Sequence, residues 1–183
     1  MKEQLIMEEK AVWKFDLSHT KVGFHATHLV ITDVSGEFRT FDGNVLVNSA
    51  DFHESEVNFT ADAASINTGI EARDNHLKSD DFFNAEKFPK LVFKGKLLKT
   101  GHAYKLKGNL TIRDITRPAE FDVRYMGTVK DPFSGAEKAG FKITGAINRF
   151  DFNLKWNLLM EAGGAVVGKE ITLEANVELE KQS

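Results

Sequence analysis

Alternation of apolar and polar residues along short segments is the feature that most constrains how this chain folds. In "WKFDL", which begins at Trp13, and in "AYKLKGNLTIR", which begins at Ala103, every second residue is apolar or glycine. Side chains alternate between the two faces of a β-strand, so each such segment has one dry and one wet face. Eight or more of these segments, joined by short turns, predict a β-sandwich or a β-barrel. Residues 33–48 form a further long strand, which we expect to bend near "FDGN".

The segment "GIEARDNHLKSDDFF", residues 69–83, breaks this pattern and predicts a helix over residues 69–78. Thr68 and Glu71 form the T-x-x-E pattern of a capping box. We expect Ser79 to cap a second short turn, with Asp80 and Asp81 at its positive N-terminal end. These two carboxylates therefore have a structural interpretation that we favour over catalysis.

Arg73 and His76 lie three positions apart in the same segment, so a helix places them on one face. They are candidates for binding an anionic head group. Their alternative role is to tie the helix to the rest of the fold, because charged helix residues commonly pair locally.

Composition narrows the classes of protein to which the chain can belong. Its 183 residues fit one domain, and a net charge of -3 gives no basic surface for nucleic acid. No cysteine is available for thiol chemistry. Charges interrupt every apolar run near the N-terminus, so we expect no signal peptide. No stretch approaches the roughly 20 apolar residues of a membrane span, so we expect no transmembrane segment and a cytoplasmic location. Residues 1–11 are expected to be flexible, and residues 12–183 to form the domain.

Motifs for metal binding and catalysis are incomplete in this sequence. His25 and His28 in "HATH" point to opposite faces of a strand, so they cannot share an ion without a bulge. "GGAVVGKE" departs from a phosphate-binding loop at Glu170, where the motif needs Ser or Thr, and it precedes a strand instead of a helix. We therefore predict no catalytic residues and no metal site.

Small residues recur on the dry faces among many phenylalanines, and this pattern predicts an apolar lumen. Glycine and alanine in place of larger side chains open space, although they also permit strand bending. An eight-stranded barrel is just wide enough to hold a small ligand. The candidate lumen residues are Phe24, Ala26, His28, Phe59, Ala61, Phe93, Gly108, Leu110, Phe121, Phe141 and Ile143.

Four segments resemble the signature segments of the YceI-like family, in the family's order. They are "HLVITDVSGEFRTFDG" (28–43), "RDNHLKSDDFFNAEKFPKLVF" (73–93), "GNLTIRDITRP" (108–118) and "INRFDFNLKWN" (147–157). The resemblance extends from about Val12 to Lys181. It implies an all-β fold, namely a single extended, antiparallel, eight-stranded lipocalin-like barrel with one short helix.

The same resemblance implies that family-typical residues stand at two motifs. They are Arg73, His76 and Leu77 in "R-x-x-H-L", and Asn148, Arg149, Asp151 and Phe152 in "N-R-x-D-F". Arg149 joins Arg73 and His76 as a head-group candidate, and the alternative for all three is that they hold the fold. Asn153 replaces the family's usual glycine, and we expect the turn to survive because Asn tolerates a left-handed backbone.

The function implied is non-catalytic binding, transport or storage of a polyisoprenoid or similar amphiphilic lipid in the lumen. An isoprenoid quinone-like lipid is one candidate for the bound molecule, and no other cofactor is expected. The alternative function is that of a hydrolase or isomerase acting on a lipid-like substrate through His28, His76 or nearby aspartates. A barrel that only binds proteins is a third hypothesis, and a homodimer is compatible with the sequence.

Overall fold

The structure is a computed structural model that describes residues 9–161 and 163–183, which form eleven strands and one α-helix. The strands are β1 (Ala11–Phe15), β2 (Lys21–His28), β3 (Thr32–Phe38), β4 (Phe41–Val47), β5 (Ser55–Asp62), β6 (Ile66–Asn67), β7 (Lys90–Thr100), β8 (Ala103–Ile112), β9 (Ile115–Lys130), β10 (Glu137–Asn148) and β11 (Val167–Lys181). The helix α1 spans Glu71–Lys78, and short 3-10 helices span Ala63–Ser65 and Arg149–Phe152. Residues 1–8 of the predicted flexible segment lie outside the described residues, whereas Ala11 begins β1.

The strands form one closed antiparallel barrel, as the sequence and its family resemblance predict. β1 and β2 lie end to end along β11. In the same way β3 and β4 lie end to end beside them, and β5 and β6 lie end to end beside β3 and β4. Each of these three pairs acts as one interrupted strand. Together with the five continuous strands β7 to β11 they make an eight-stranded ring, which the pairing of β1 and β2 with β11 closes. The bend expected near "FDGN" falls just before that segment, at residues 39–40 between β3 and β4.

The register of the barrel follows the alternation in the sequence. Tyr104, Leu106 and Leu110 of β8 are buried, whereas Lys105 and Lys107 point outward and form ion pairs with Glu120. Because a slip of one residue would reverse both faces, these contacts confirm the predicted side-chain orientation.

One end of the barrel is plugged by aromatic side chains. The loop between β4 and β5 inserts Phe52, which is 2% exposed, into the interior. Its ring centroid lies 5.1 Å from that of Trp13, 5.6 Å from that of Tyr125 and 5.2 Å from that of Phe141. The Tyr104 hydroxyl donates a hydrogen bond to the Asp51 carbonyl at 2.8 Å and holds this loop in place. We call this end the plugged end.

The opposite end, which we call the mouth end, carries the longer connections. The two longest are the segment 68–89 with α1 and the segment 149–166 between β10 and β11, and the short β2–β3 and β8–β9 turns lie at the same end. Asn153 ends the second 3-10 helix with φ 61°, so the left-handed turn expected at this position is confirmed. Within the described residues, no helix combines the length and the apolarity that a membrane span requires.

Phe52→Ala should destabilise the protein by about 3–5 kcal/mol, because it leaves a cavity among aromatic rings that cannot close around it. Chemical denaturation gives the free energy of unfolding. Phe133→Ala is the matched control, since Phe133 is 98% exposed, and it should change stability by less than about 0.5 kcal/mol. Equal effects of the two substitutions would contradict the plug.

Candidate ligand-binding cavity

The barrel interior contains two adjoining apolar cavities. The outer cavity, of about 160 Å³, lies toward the mouth end, and the inner cavity, of about 130 Å³, lies toward the plugged end. Val22, Phe59, Leu110 and Leu173 line both cavities and separate them. Side chains from opposite walls of the barrel thus enclose a divided, apolar space.

The outer cavity is walled by strands and covered by the helical segment. Ala26, Ala61 and Ile147 contribute to its wall, and Leu77, Phe82 and Phe83 cover it from the segment that contains α1. Among the described residues that line it, Arg149 is the one titratable side chain. The site therefore presents hydrocarbon on nearly every side and one positive charge.

Most of the predicted lumen residues line these cavities. In the outer cavity they are Phe24, Ala26, Phe59, Ala61 and Leu110, and in the inner cavity they are Phe59, Phe93, Leu110, Phe121 and Ile143. Phe141 belongs instead to the aromatic plug, where it contacts Phe52 and Tyr125. His28 is half-buried at the end of β2 and lies outside both sets of lining residues.

The interpretation of the dry-face glycines as open space needs correction. Gly108 faces Gly95 across β7 and β8, and a Cβ atom on Gly108 would lie 2.2 Å from the Lys94 carbonyl oxygen. A Cβ atom on Gly145 would lie 2.5 Å from the Phe121 ring, and one on Gly36 would lie 2.4 Å from the Phe24 ring. At these glycines a neighbouring backbone or a phenylalanine ring occupies the space that a side chain would need, so the glycines do not border the lumen.

Arg149 is held inside the protein by backbone carbonyl groups. Its side chain is 1% exposed, and Nε donates to the Gly168 carbonyl at 2.8 Å while Nη1 donates to the Trp156 carbonyl at 2.8 Å. Further bonds run to the carbonyls of Leu154 and Val167. Burial lowers the pKa of the guanidinium from its ordinary value. No carboxylate within the described part of the chain forms an ion pair with it.

Arg73 is engaged by the loop that precedes α1. Its Nε donates to the Thr68 hydroxyl at 2.7 Å, and Nη2 donates to the Thr68 carbonyl at 2.9 Å. The predicted capping box between Thr68 and Glu71 is wrong, because Asp74 accepts both the backbone N–H and the hydroxyl of Thr68. The helix begins at Glu71 without a side-chain cap, and Arg73 and Asp74 hold its N-terminus instead.

His76 contacts two aromatic residues at the cover of the outer cavity. Its ring lies 4.8 Å from that of Trp156 and 5.2 Å from that of Phe82, and Nε2 lies 2.8 Å from Asp81 Oδ2. Residues of α1 and of the 149–166 segment are thereby joined above the cavity.

The two aspartates have structural roles, as predicted, but they do not act at a helix N-terminus. Ser79 ends α1, and its hydroxyl donates to the His76 carbonyl. Asp81 pairs with His76, and Asp80 accepts a hydrogen bond from Arg113 Nη2 at 2.9 Å. Arg113 also donates to the Phe82 carbonyl, so it fastens the cover to the β8–β9 turn. Sequence reasoning missed Arg113, because a lone turn arginine carries no motif.

A cluster of charged side chains lies near the plugged end. The ligand atoms of Asp16, His19 and Glu178 lie close enough together to bind a metal ion. Lys138 Nζ, however, lies 2.7 Å from Asp16 and 2.9 Å from Glu178, so an ammonium group already neutralises these carboxylates. The hydrogen bond from Lys138 holds the pKa of Asp16 well below its usual value, and the same bond raises the pKa of Lys138.

Fold and interior together define the class of protein as a closed antiparallel β-barrel with an apolar lumen. The model of the family described as the YceI-like domain matches residues 13–179, and the chain belongs to this family. A UPF0312 protein of Staphylococcus aureus is 39% identical over 164 residues, which are 90% of this chain and 94% of that protein.

Three solved structures from Burkholderia, Campylobacter and Saccharophagus have the same fold. BcnA of Burkholderia cenocepacia has a TM-score of 0.76 at 20% identity, covering 90% of this chain and 98% of its own. A YCEI protein of Campylobacter jejuni has a TM-score of 0.70 at 30% identity, covering 86% and 90% of the two chains. A polyisoprenoid binding domain from Saccharophagus degradans has a TM-score of 0.65 at 12% identity, covering 93% and 98%.

Lys138→Met should lower the melting temperature at neutral pH, because it leaves neighbouring carboxylates without their counter-charge. Because the pKa of Asp16 is lowered, its ionised carboxylate stabilises the fold fully when the pH is above the ordinary pKa of 3.8. This stabilisation is lost as the pH falls below that value. The deficit of the variant should therefore shrink below about pH 4 in melting curves. Lys142→Met removes the same charge from an exposed position of β10 and serves as the control. A deficit that is independent of pH would contradict this interpretation.

Proposed function

We propose that this chain binds, without catalysing a reaction, the hydrocarbon chain of a polyisoprenoid or a similar amphiphilic lipid, for transport or storage. The observation that carries the proposal is the pair of adjoining cavities, whose lining is aliphatic and aromatic apart from Gly23, Arg149 and Glu174. Burying each CH2 group in such a space contributes about 0.8 kcal/mol. A long hydrocarbon therefore needs few polar contacts to bind.

The side chains between the two cavities determine how far a ligand can enter. Phe59 and Leu110 border both spaces, so a change of rotamer at either would join them into one channel. The aromatic plug around Phe52 ends this channel. We therefore propose that the hydrocarbon enters tail first from the mouth end and stops before the plug.

Of the three head-group candidates, Arg149 has the position that best suits this role. Arg149 lines the outer cavity, whereas Arg73 and His76 lie outside its lining and contact Thr68 and Asp81. Its four bonds to carbonyls leave one of the five guanidinium N–H groups for an acceptor on the ligand. A phosphate, a hydroxyl or a quinone oxygen would each satisfy it.

The relatives support the proposal at the level of the family. The domain from Saccharophagus degradans is described as polyisoprenoid binding, and its barrel resembles this one. A hydrolase or isomerase would need an acid–base pair at the ligand, and among the described residues Arg149 lines the outer cavity while Glu174 lines the inner one, so the two charged groups do not share a cavity. A cytoplasmic location and a homodimer remain predictions from the sequence.

Ala61→Leu should weaken the binding of a fluorescent polyisoprenoid about tenfold, because the larger side chain takes the space of about two CH2 groups. Its folding stability should be unchanged or higher, since it fills a cavity. Titration by fluorescence and melting curves give the two quantities. Thr60→Leu changes the neighbouring outward-facing residue of β5 and should leave affinity unchanged.

Gly108→Leu tests whether Gly108 borders the lumen or packs against the neighbouring strand backbone. We expect this variant to lose about 1–3 kcal/mol of stability or more, because its Cβ would overlap the Lys94 carbonyl. If Ala61→Leu keeps full affinity per folded molecule, the hydrocarbon does not occupy the outer cavity and the proposal fails.

A further inference from the structure

Two turns at the mouth end expose aliphatic side chains to solvent. In the β2–β3 turn, Val30 is 63% exposed and Ile31 is 84% exposed, with Leu29 beside them. In the segment between β10 and β11, Leu158 is 62% exposed and Leu159 is 80% exposed. We call these five residues the aliphatic rim. Contiguous exposed apolar surface of this kind marks an interaction site.

The two turns form one surface. The Leu29 N–H donates a hydrogen bond to the Val166 carbonyl at 3.0 Å, and Val166 N–H donates to the Leu158 carbonyl at 2.9 Å. A Cβ atom on Gly164 would lie 3.0 Å from Val30 Cγ2, so the second turn packs directly against the first. The rim therefore projects from a connected backbone framework.

The backbone of the β2–β3 turn is unfavourable for the residues that occupy it. Leu29 has φ 52° and Val30 has φ 68°, within a turn closed by the bond from the Ile31 N–H to the His28 carbonyl. Consecutive left-handed residues in a hairpin turn favour Asn-Gly, and a β-branched residue there is strained. Apolar side chains thus stand where turn chemistry selects against them, which points to a function for their exposure.

The rim is continuous with the outer cavity. Val167, which follows the rim contact at Val166, lines the cavity, and so does Ala26, on β2 shortly before the turn. The plug lies at the other end of the barrel, so the rim lies at the end from which a hydrocarbon would enter.

We propose that the aliphatic rim docks the protein on the surface of a lipid bilayer, so that a lipid passes between the membrane and the cavity. The rim side chains are all aliphatic, whereas protein interfaces are anchored mainly by Trp, Tyr and Arg. Exposed charges next to the rim in the chain are of both signs, namely Asp33, Lys155, Glu161 and Lys169. Docking therefore depends on apolar contact with the membrane, and it depends only weakly on lipid charge or salt. This inference rests on the proposed lipid ligand for its purpose.

Flotation of the purified protein with phosphatidylcholine vesicles tests the proposal. The wild type should float with the vesicles, and Val30→Asn and Leu159→Glu should each reduce the bound fraction at least fivefold. Val30→Asn is informative because Asn tolerates the left-handed backbone. Its melting temperature should be equal to or above that of the wild type, so loss of docking cannot be attributed to unfolding.

Phe133→Ser is the matched control, because Phe133 is fully exposed at the β9–β10 turn of the plugged end, and this variant should float as the wild type does. A wild type that stays with the soluble fraction, or rim variants that float unchanged, would overturn the proposal. So would a dimer, seen by gel filtration, that Val30→Asn dissociates. Titration with the fluorescent polyisoprenoid in solution separates the two proposals, since normal flotation without ligand binding would contradict the proposed function and lipid transfer but not docking on the membrane.

Discussion

Closure of the sheet by β11 is the constraint on which the rest of the structure depends. This strand pairs with β10 along one edge and with both β1 and β2 along the other. Because a closed barrel has no free edges, all inward side chains face a common interior. The size of the inward side chains, together with Phe52 from the β4–β5 loop, then determines which part of the interior is filled and which stays open.

Phenylalanine rings divide the interior into a solid half and a hollow half. At the plugged end, Phe52 reaches in from a loop and packs against rings from three strands. In the middle, the rings of Phe24 and Phe121 lie over Gly36 and Gly145, which have no side chain to oppose them. Toward the mouth end, aliphatic residues and alanine leave space. Arg149 holds the neighbouring segment by donating hydrogen bonds to the carbonyls of Gly168 and Trp156.

The fold could be predicted from the sequence to a greater extent than the site. Alternation in segments such as β8 determines the register, and the family resemblance supplied the closed barrel. The prediction that dry-face glycines open the lumen was wrong at Gly108 and Gly145, which pack against a backbone and a phenylalanine ring. The sequence does not distinguish such a glycine from one that borders a cavity. The sequence did not predict the contacts of Phe52 and Arg113, because loop residues that contact distant parts of the fold leave no periodic signal. It also did not predict that Thr68 bonds to Asp74.

The central claim is that a hydrocarbon occupies the hollow half and stops before the plug. Methyl-group NMR during titration with a polyisoprenoid tests this claim most directly. We predict that the methyl signals of Leu110 and Ile147, which line the outer cavity, shift on binding. Those of Val45 and Leu179, in the packed core beside the plug, should stay unchanged. Shifts at Val45 and Leu179 with none at Leu110 and Ile147 would contradict the account.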